Sequence, residues 1–163
     1  MNNELLAVVD ETDCVIEHRP RREIHALGLR HRAVHILVFN DIGQLLMQKR
    51  SMKKDLNQGL WDTSAAGHVD AGEDYDDCAP RELTEELGIE AELLKLFKLE
   101  ASPDLGMEFI QVYRCRHNGP FSIAVDEIDE IRWLEPGDID RQVETNSARL
   151  TETFKTIWRG FRR

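Results

Sequence analysis

Apolar and polar positions divide the chain into short segments of two kinds. Residues 4–10, ELLAVVD, read as a strand, 11–13 as a turn, and 14–16 as the return strand of a hairpin. Residues 18–32, HRPRREIHALGLRHR, are basic and carry few large apolar side chains, so a loop with a short helical turn is expected there. The continuous apolar run AVHILVF at 33–39 is a buried strand, and a turn at 40–43 leads into its partner at 44–50. Residues 51–59 are polar and loop-like, and 60–66, LWDTSAA, form one short strand. Further strands are expected at 91–101, 109–116 and 128–134, with Pro136-Gly137-Asp138 breaking the chain after the last. From about residue 146 onward, Leu150, Phe154, Ile157, Trp158 and Phe161 follow helical spacing, which predicts a C-terminal amphipathic helix whose aromatics pack in the core. Strands on both sides of a central helix, with a closing helix, give an α/β sandwich around a mixed sheet.

That central helix is expected within residues 67–89, GHVDAGEDYDDCAPRELTEELGI. Glu82, Glu85 and Glu86 stand at i, i+3 and i+4, so a helix puts all three carboxylates on one arc roughly 100° wide. Three like charges this close destabilise an isolated helix, and Mg²⁺, which prefers carboxylate oxygen and water, is a partner that would offset the repulsion. Gly88 suits the left-handed position that closes a helix. Pro80 is tolerated only near a helix start, so the regular helix is expected to begin late, with Asp76 or Asp77 as N-cap.

The 163 residues suffice for one domain with one core, and a 41% hydrophobic, 32% charged composition is that of a soluble globular chain. A net charge of -10 repels a polyanion, so a nucleic-acid polymer is excluded as partner. Small phosphorylated metabolites are not, because a bound cation reverses the local field. No apolar run is long enough for a membrane span, and the opening MNNELLAVVDETD lacks signal-peptide features. Cys14, Cys78 and Cys115 are odd in number and widely spaced, as expected of thiols in a reducing cytoplasm. The arginines at 19, 21, 22, 30 and 32 are candidates for facing a phosphate or are solubilising surface. A homodimer is a further expectation for a small enzyme of this kind.

Position by position, residues 67–89 resemble the Nudix box: Gly67, Glu73, Arg81, Glu82, Leu83, Glu85, Glu86, Gly88 and Ile89 fill its fixed places with both spacers intact. The resemblance implies a single Nudix domain over 1–163, an α/β/α sandwich with the box as a loop–helix–loop. It further implies a Mg²⁺- or Mn²⁺-dependent hydrolase of a small diphosphate-linked substrate, with Glu82, Glu85, Glu86 and the Gly67 carbonyl as metal ligands. Glu85 or Glu86 would also orient or deprotonate water, and Arg81 would pair with Glu73 to brace the helix. For the general base, Glu108, Glu127 and Glu130 are candidates outside the box.

A second resemblance covers His31-Arg32-Ala33-Val34, FNDIGQLLMQKRS and GLWDTSAAGHVDAGE, and is to the Nudix-related isopentenyl diphosphate isomerases. His31, His68 and Glu108 fall at isomerase metal-ligand positions, which implies a second metal unless the histidines are structural. Ala66 replaces the cysteine that performs the isomerase protonation, and Gly106 stands where a second isomerase acid aligns. Isomerase chemistry is therefore not expected. A non-catalytic metabolite sensor is the remaining alternative, and the complete box argues against it.

Overall fold

A computed structural model describes residues 4–163; the first three residues of the expected N-terminal segment lie outside it. The chain opens with a hairpin, β1 (Leu5–Val9) and β2 (Val15–Pro20), followed by helix α1 (Arg21–Leu27). Strands β3 (His31–Phe39), β4 (Leu45–Arg50), β5 (Trp61–Asp62) and β6 (Ala65–His68) precede helix α2 (Tyr75–Leu87). Then come β7 (Leu94–Leu99), β8 (Glu108–Arg116), β9 (Ile128–Leu134), α3 (Pro136–Glu144) and α4 (Glu152–Phe161).

Strands β3 to β9 form one mixed sheet of order β5-β4-β3-β8-β7, with β6 added to β3 and β9 to β4. The β3–β8 pair is parallel, from His31↔Glu108 to Phe39↔Arg116, and the other pairs are antiparallel. Strand β3 reads as a continuous apolar run because both its faces are covered. Ala33, Leu37 and Phe39 pack with Phe154, Ile157 and Trp158 of α4 and with Ile139 and Val143 of α3. Val34, Ile36 and Val38 pack with Cys78, Ala79, Leu83 and Leu87 of α2. This is the expected α/β/α sandwich. A small third cluster of Leu6, Val8 and Ile24 seats α1 on the hairpin.

Four local expectations are corrected. Residues 60–66 are two strands, because the buried Ser64 bridges β3 and β4 where they diverge: its hydroxyl donates to the Leu46 carbonyl (2.5 Å) and accepts from the Val38 N–H (2.8 Å). Residues 18–32 hold a complete helix, α1, closed by Gly28 at φ 64°. Pro136 starts α3 instead of ending the structure, since proline at the first helical position forfeits no hydrogen bond. The C-terminal helix begins later than residue 146, at Glu152, where the Thr151 hydroxyl accepts from the Phe154 N–H at 3.0 Å.

Helix α2 also starts earlier than Pro80 suggested. Its N-cap is Asp74, whose carboxylate accepts from the Asp77 N–H at 2.8 Å, and Pro80 sits inside the helix. Proline leaves the Asp76 carbonyl without its helical donor, at a residue that is exposed.

Candidate active site

Strand β6 runs antiparallel to β3 and delivers Gly67 against the middle of α2. The approach is so close that a Cβ built on Gly67 would lie 2.0 Å from the Glu82 carboxyl carbon. Glycine is therefore required by contact, not by backbone conformation. Gly88, in contrast, is required by conformation: at φ 67° it caps α2, its N–H donating to the Thr84 carbonyl at 2.9 Å.

The expected Arg81–Glu73 pair is present and bidentate, with both N···O distances 2.8 Å. Arg81 also donates to Glu82 (2.9 Å), to Glu85 (3.2 Å) and to the His68 carbonyl (3.2 Å), tying the turn, β6 and α2 into one unit. Glu82 and Glu86 are buried, whereas the Glu85 side chain is 56% exposed. Glu86 accepts from the Ala66 N–H and from the Gln48 amide, both at 3.0 Å. Burial raises Glu82 to about 8, with the neighbouring Glu86 adding to the shift and Arg81 opposing it. Burial raises Glu86 to about 7 against the pull of its Ala66 and Gln48 hydrogen bonds. Two buried carboxyls held beside a backbone stripped of its side chain are an oxygen-rich cradle of the kind a hard divalent cation takes. The donor set fits the expected metal.

Glu82, Glu85, Glu86 and Gly67 line one cavity of about 630 Å³, and His68, Glu108 and Glu127 line it as well. That volume suits a small metabolite. Glu130 is not brought to it: the side chain lies on β9, half-buried and paired with Arg132 at 2.5 Å. Glu127 is held by Lys54. Of the five arginines, Arg21 lines the cavity and pairs with Asp55 (3.1 Å), while Arg32 is committed to Asp13 (2.7 Å). No Phe, Tyr or Trp among the described residues lines the cavity.

A second polar group adjoins the first. His25 of α1, the first residue of β3, His31, and the last residue of β6, His68, bring ring nitrogens within 4.8 Å of one another. Glu108 Oε2 accepts from His68 Nε2 at 3.0 Å. His31 Nε2 is 3.3 Å from the same oxygen but lacks hydrogen-bonding geometry, and it is buried without a partner. Burial drives Glu108 upward, yet the His31 and His68 imidazoles beside it hold it well below the usual carboxylate range. His25 is lowered to about 4, by burial first and then by His68, Arg21 and His31, so it stays neutral and able to ligate. An orphaned imidazole nitrogen among two further histidines and a carboxylate is a donor set that fits a transition metal or zinc. His25 was missed in the sequence because no motif contains it; only the fold places α1 beside the first residue of β3 and the last residue of β6. His35, Asp62, Arg50 and Lys54 also line the cavity and carried no motif.

The three cysteines do not supply a catalytic thiol. Cys14 is exposed on the hairpin, and Cys78 and Cys115 are buried, with their thiols raised chiefly by burial. None lines the cavity.

An α/β/α domain that places an arc of carboxylates over a small cavity defines a Nudix-type hydrolase scaffold. Comparison with known proteins agrees: the family model described as NUDIX domain matches residues 29–154. An uncharacterized Nudix hydrolase of Pseudomonas aeruginosa is 38% identical over 134 residues, 82% of this chain and 79% of that protein. An isopentenyl-diphosphate Delta-isomerase of Serratia proteamaculans is 32% identical over 160 residues, 95% of this chain and 89% of that protein. The crystal structure of DR0079 from Deinococcus radiodurans superposes with a TM-score of 0.87 at 27% identity, covering 98% of this chain and 100% of that one. The chain belongs to the Nudix family, whose enzymes generally use divalent metal ions. Among the described residues no helix is long and apolar enough to cross a membrane.

Proposed function

We propose that this chain is a Mg²⁺- or Mn²⁺-dependent hydrolase that cleaves a diphosphate bond in a small metabolite by water attack. The observation that carries the reading is the Gly67–Glu82 contact: a position that excludes every side chain, beside two buried carboxyls. Glu82, Glu85, Glu86 and the Gly67 carbonyl would hold the cation, which when bound neutralises phosphate charge and polarises the phosphorus centre. Arg81 and Glu73 fix the carboxylates in place. Arg50 lines the same cavity and would supply positive charge for the phosphate groups, while Arg21 and Lys54 beside it are paired with Asp55 and Glu127.

The orphaned His31 nitrogen favours a second reading alongside the first, in which His25, His31, His68 and Glu108 hold a second cation. The isomerase reading, despite the likeness to an isopentenyl-diphosphate Delta-isomerase, lacks its acid: the position that would need a thiol is Ala66, and the three cysteines lie elsewhere.

Phosphate release tests the proposal. Purified protein with Mg²⁺ or Mn²⁺ is expected to hydrolyse at least one member of a panel of nucleotides, nucleotide sugars, dinucleotides, coenzyme A and prenyl diphosphates. Glu86→Gln should abolish the activity, and equal rates in Glu86→Gln and wild type would sink the assignment. Titration calorimetry with Mn²⁺ tests the second centre: two sites are expected in wild type and one in His31→Ala.

A further inference from the structure

His35 belongs to no motif, yet it occupies the middle of the central strand and faces the cavity. It pairs across the sheet with Ala66, the residue whose N–H binds Glu86 at 3.0 Å. The imidazole is buried. Its Nδ1 lies 2.7 Å from the Thr63 hydroxyl, with an Asp62 carboxylate oxygen behind at 3.8 Å. The Thr63 hydroxyl has its own acceptor, the Ala65 carbonyl at 3.4 Å, which leaves it free to accept from an Nδ1–H. The Asp62 charge favours a proton on the same nitrogen. Nε2 then carries the lone pair. It makes no hydrogen bond among the described residues, and it is not among the sealed polar atoms, of which His31 Nε2 is the one example. A ring fixed on one nitrogen, backed by a carboxylate and open at the other nitrogen is the arrangement of an oriented base.

We propose that His35 is the proton acceptor of the hydrolytic step, with Thr63 and Asp62 as its positioning residues. The inference rests on the hydrolase reading above and deepens it. Water gives one proton to His35 Nε2 as its oxygen bonds to a phosphorus atom. The bridging P–O bond breaks, and its electron pair stays on the leaving phosphate oxygen. The imidazolium then releases the proton to solvent, restoring the base. The other candidates outside the box are otherwise engaged: Glu108 by His68, Glu127 by Lys54, and Glu130 by Arg132 away from the cavity.

The charged and titratable groups acting on His35 are Asp62 and Glu108, which favour the imidazolium, and Arg50 and His68, which oppose it. Burial outweighs all four and lowers the imidazole from its ordinary 6.5, so the ring is neutral at pH 7. Loss of activity on its protonation therefore belongs below pH 6.5.

Two measurements test the assignment. In wild-type protein, ¹⁵N NMR of the histidine side chains should show His35 as the Nδ1–H tautomer at neutral pH. An Nε2–H tautomer overturns the proposal whatever the enzyme turns over. With the substrate found by the phosphate-release panel, His35→Gln should lower kcat about 100-fold or more while KM changes little. It should also erase the acid limb of the kcat–pH profile, with Mn²⁺ affinity unchanged, and His35→Ala should regain activity with added imidazole. A kcat within fivefold of wild type, or an unaltered acid limb, refutes it. Should His35→Gln not fold, Thr63→Val, with kcat expected to fall about tenfold or more, and the NMR tautomer decide the matter. Silence of the wild-type enzyme across the panel counts against the hydrolase reading, and the tautomer still decides the geometry of His35.

Discussion

Gly67→Ala is the smallest change that tests how the carboxylate cradle is built. The added methyl carbon would meet the Glu82 side chain at 2.0, 2.2 and 2.4 Å from its carboxyl carbon and two oxygens. Real atoms do not approach so closely, so the Glu82 carboxyl must leave or β6 must move. Leaving breaks the 2.9 Å bond to Arg81; moving β6 strains its pairing with β3, from Ala33↔His68 to Ile36↔Ala65. Overpacking of this kind costs about 2 kcal/mol, which in a domain of this size lowers Tm by roughly 4–8 °C. Thermal denaturation of metal-free protein measures that loss, and Mn²⁺ titration measures the accompanying loss of affinity. The decisive comparison is Gly67→Ala/Glu82→Ala. Removing the carboxyl removes the clash, so the double variant should melt near Glu82→Ala alone while remaining inactive. A Gly67→Ala protein with wild-type Tm and wild-type Mn²⁺ affinity would refute the contact argument. Additive losses in the double variant would do so equally.

Further outcomes follow from the same geometry. Glu82 and Glu86 bind protons more tightly in the folded chain, at about 8 and about 7, than at the ordinary 4.5 of the unfolded chain. Their contribution to metal-free stability is thus full below pH 4.5 and is lost as pH rises through 7 and 8, so Tm should fall over that span and the fall should flatten in Glu82→Gln/Glu86→Gln. Because cation binding expels those protons, the Tm gain on adding Mn²⁺ should grow with pH across the same range, and a pH-independent gain would contradict it. Arg81→Lys cannot reproduce the two 2.8 Å bonds to Glu73 together with the reach to Glu82, and Mn²⁺ affinity should drop about 10-fold or more by calorimetry. Pro80→Ala restores the missing N–H inside α2 and should raise metal-free stability by about 1–2 kcal/mol in urea unfolding; destabilisation would show that the proline is favoured there by something other than tolerance.

Much of this arrangement was readable in the chain because it is local. The three glutamates at i, i+3 and i+4 need only a helix to converge, and Arg81–Glu73 needs only the turn before it. The α/β/α layering followed from the resemblance, and the buried run of β3 followed from its uninterrupted apolar side chains. What escaped reading is what depends on long-range packing or on short-range competition. Ser64 splits a segment that alternates like one strand because its hydroxyl serves two other strands. Pro136 looked like a terminator because proline both breaks and begins helices, and only the chain beyond it decides which. His25 and His35 looked like ordinary residues of a basic loop and an apolar strand. One acquires neighbours when α1 docks on the hairpin, the other when β6 crosses beside it. Glu130 failed in the opposite sense: on β9 it is paired with Arg132 and does not reach the cavity.

The central strand carries a consequence for how the protein wears out. β3 supplies His31 and His35, hydrogen-bonds to the strands bearing Gly67 and Glu108, and packs against helices on both its faces. Because β3 anchors both neighbouring strands and both helix layers, the sheet cannot open without dismantling the cavity. Catalytic competence and foldedness therefore disappear together. In a sample aged or heated, the remaining turnover is a head count of undamaged molecules, each working at full speed, and KM should stay constant as the total rate declines.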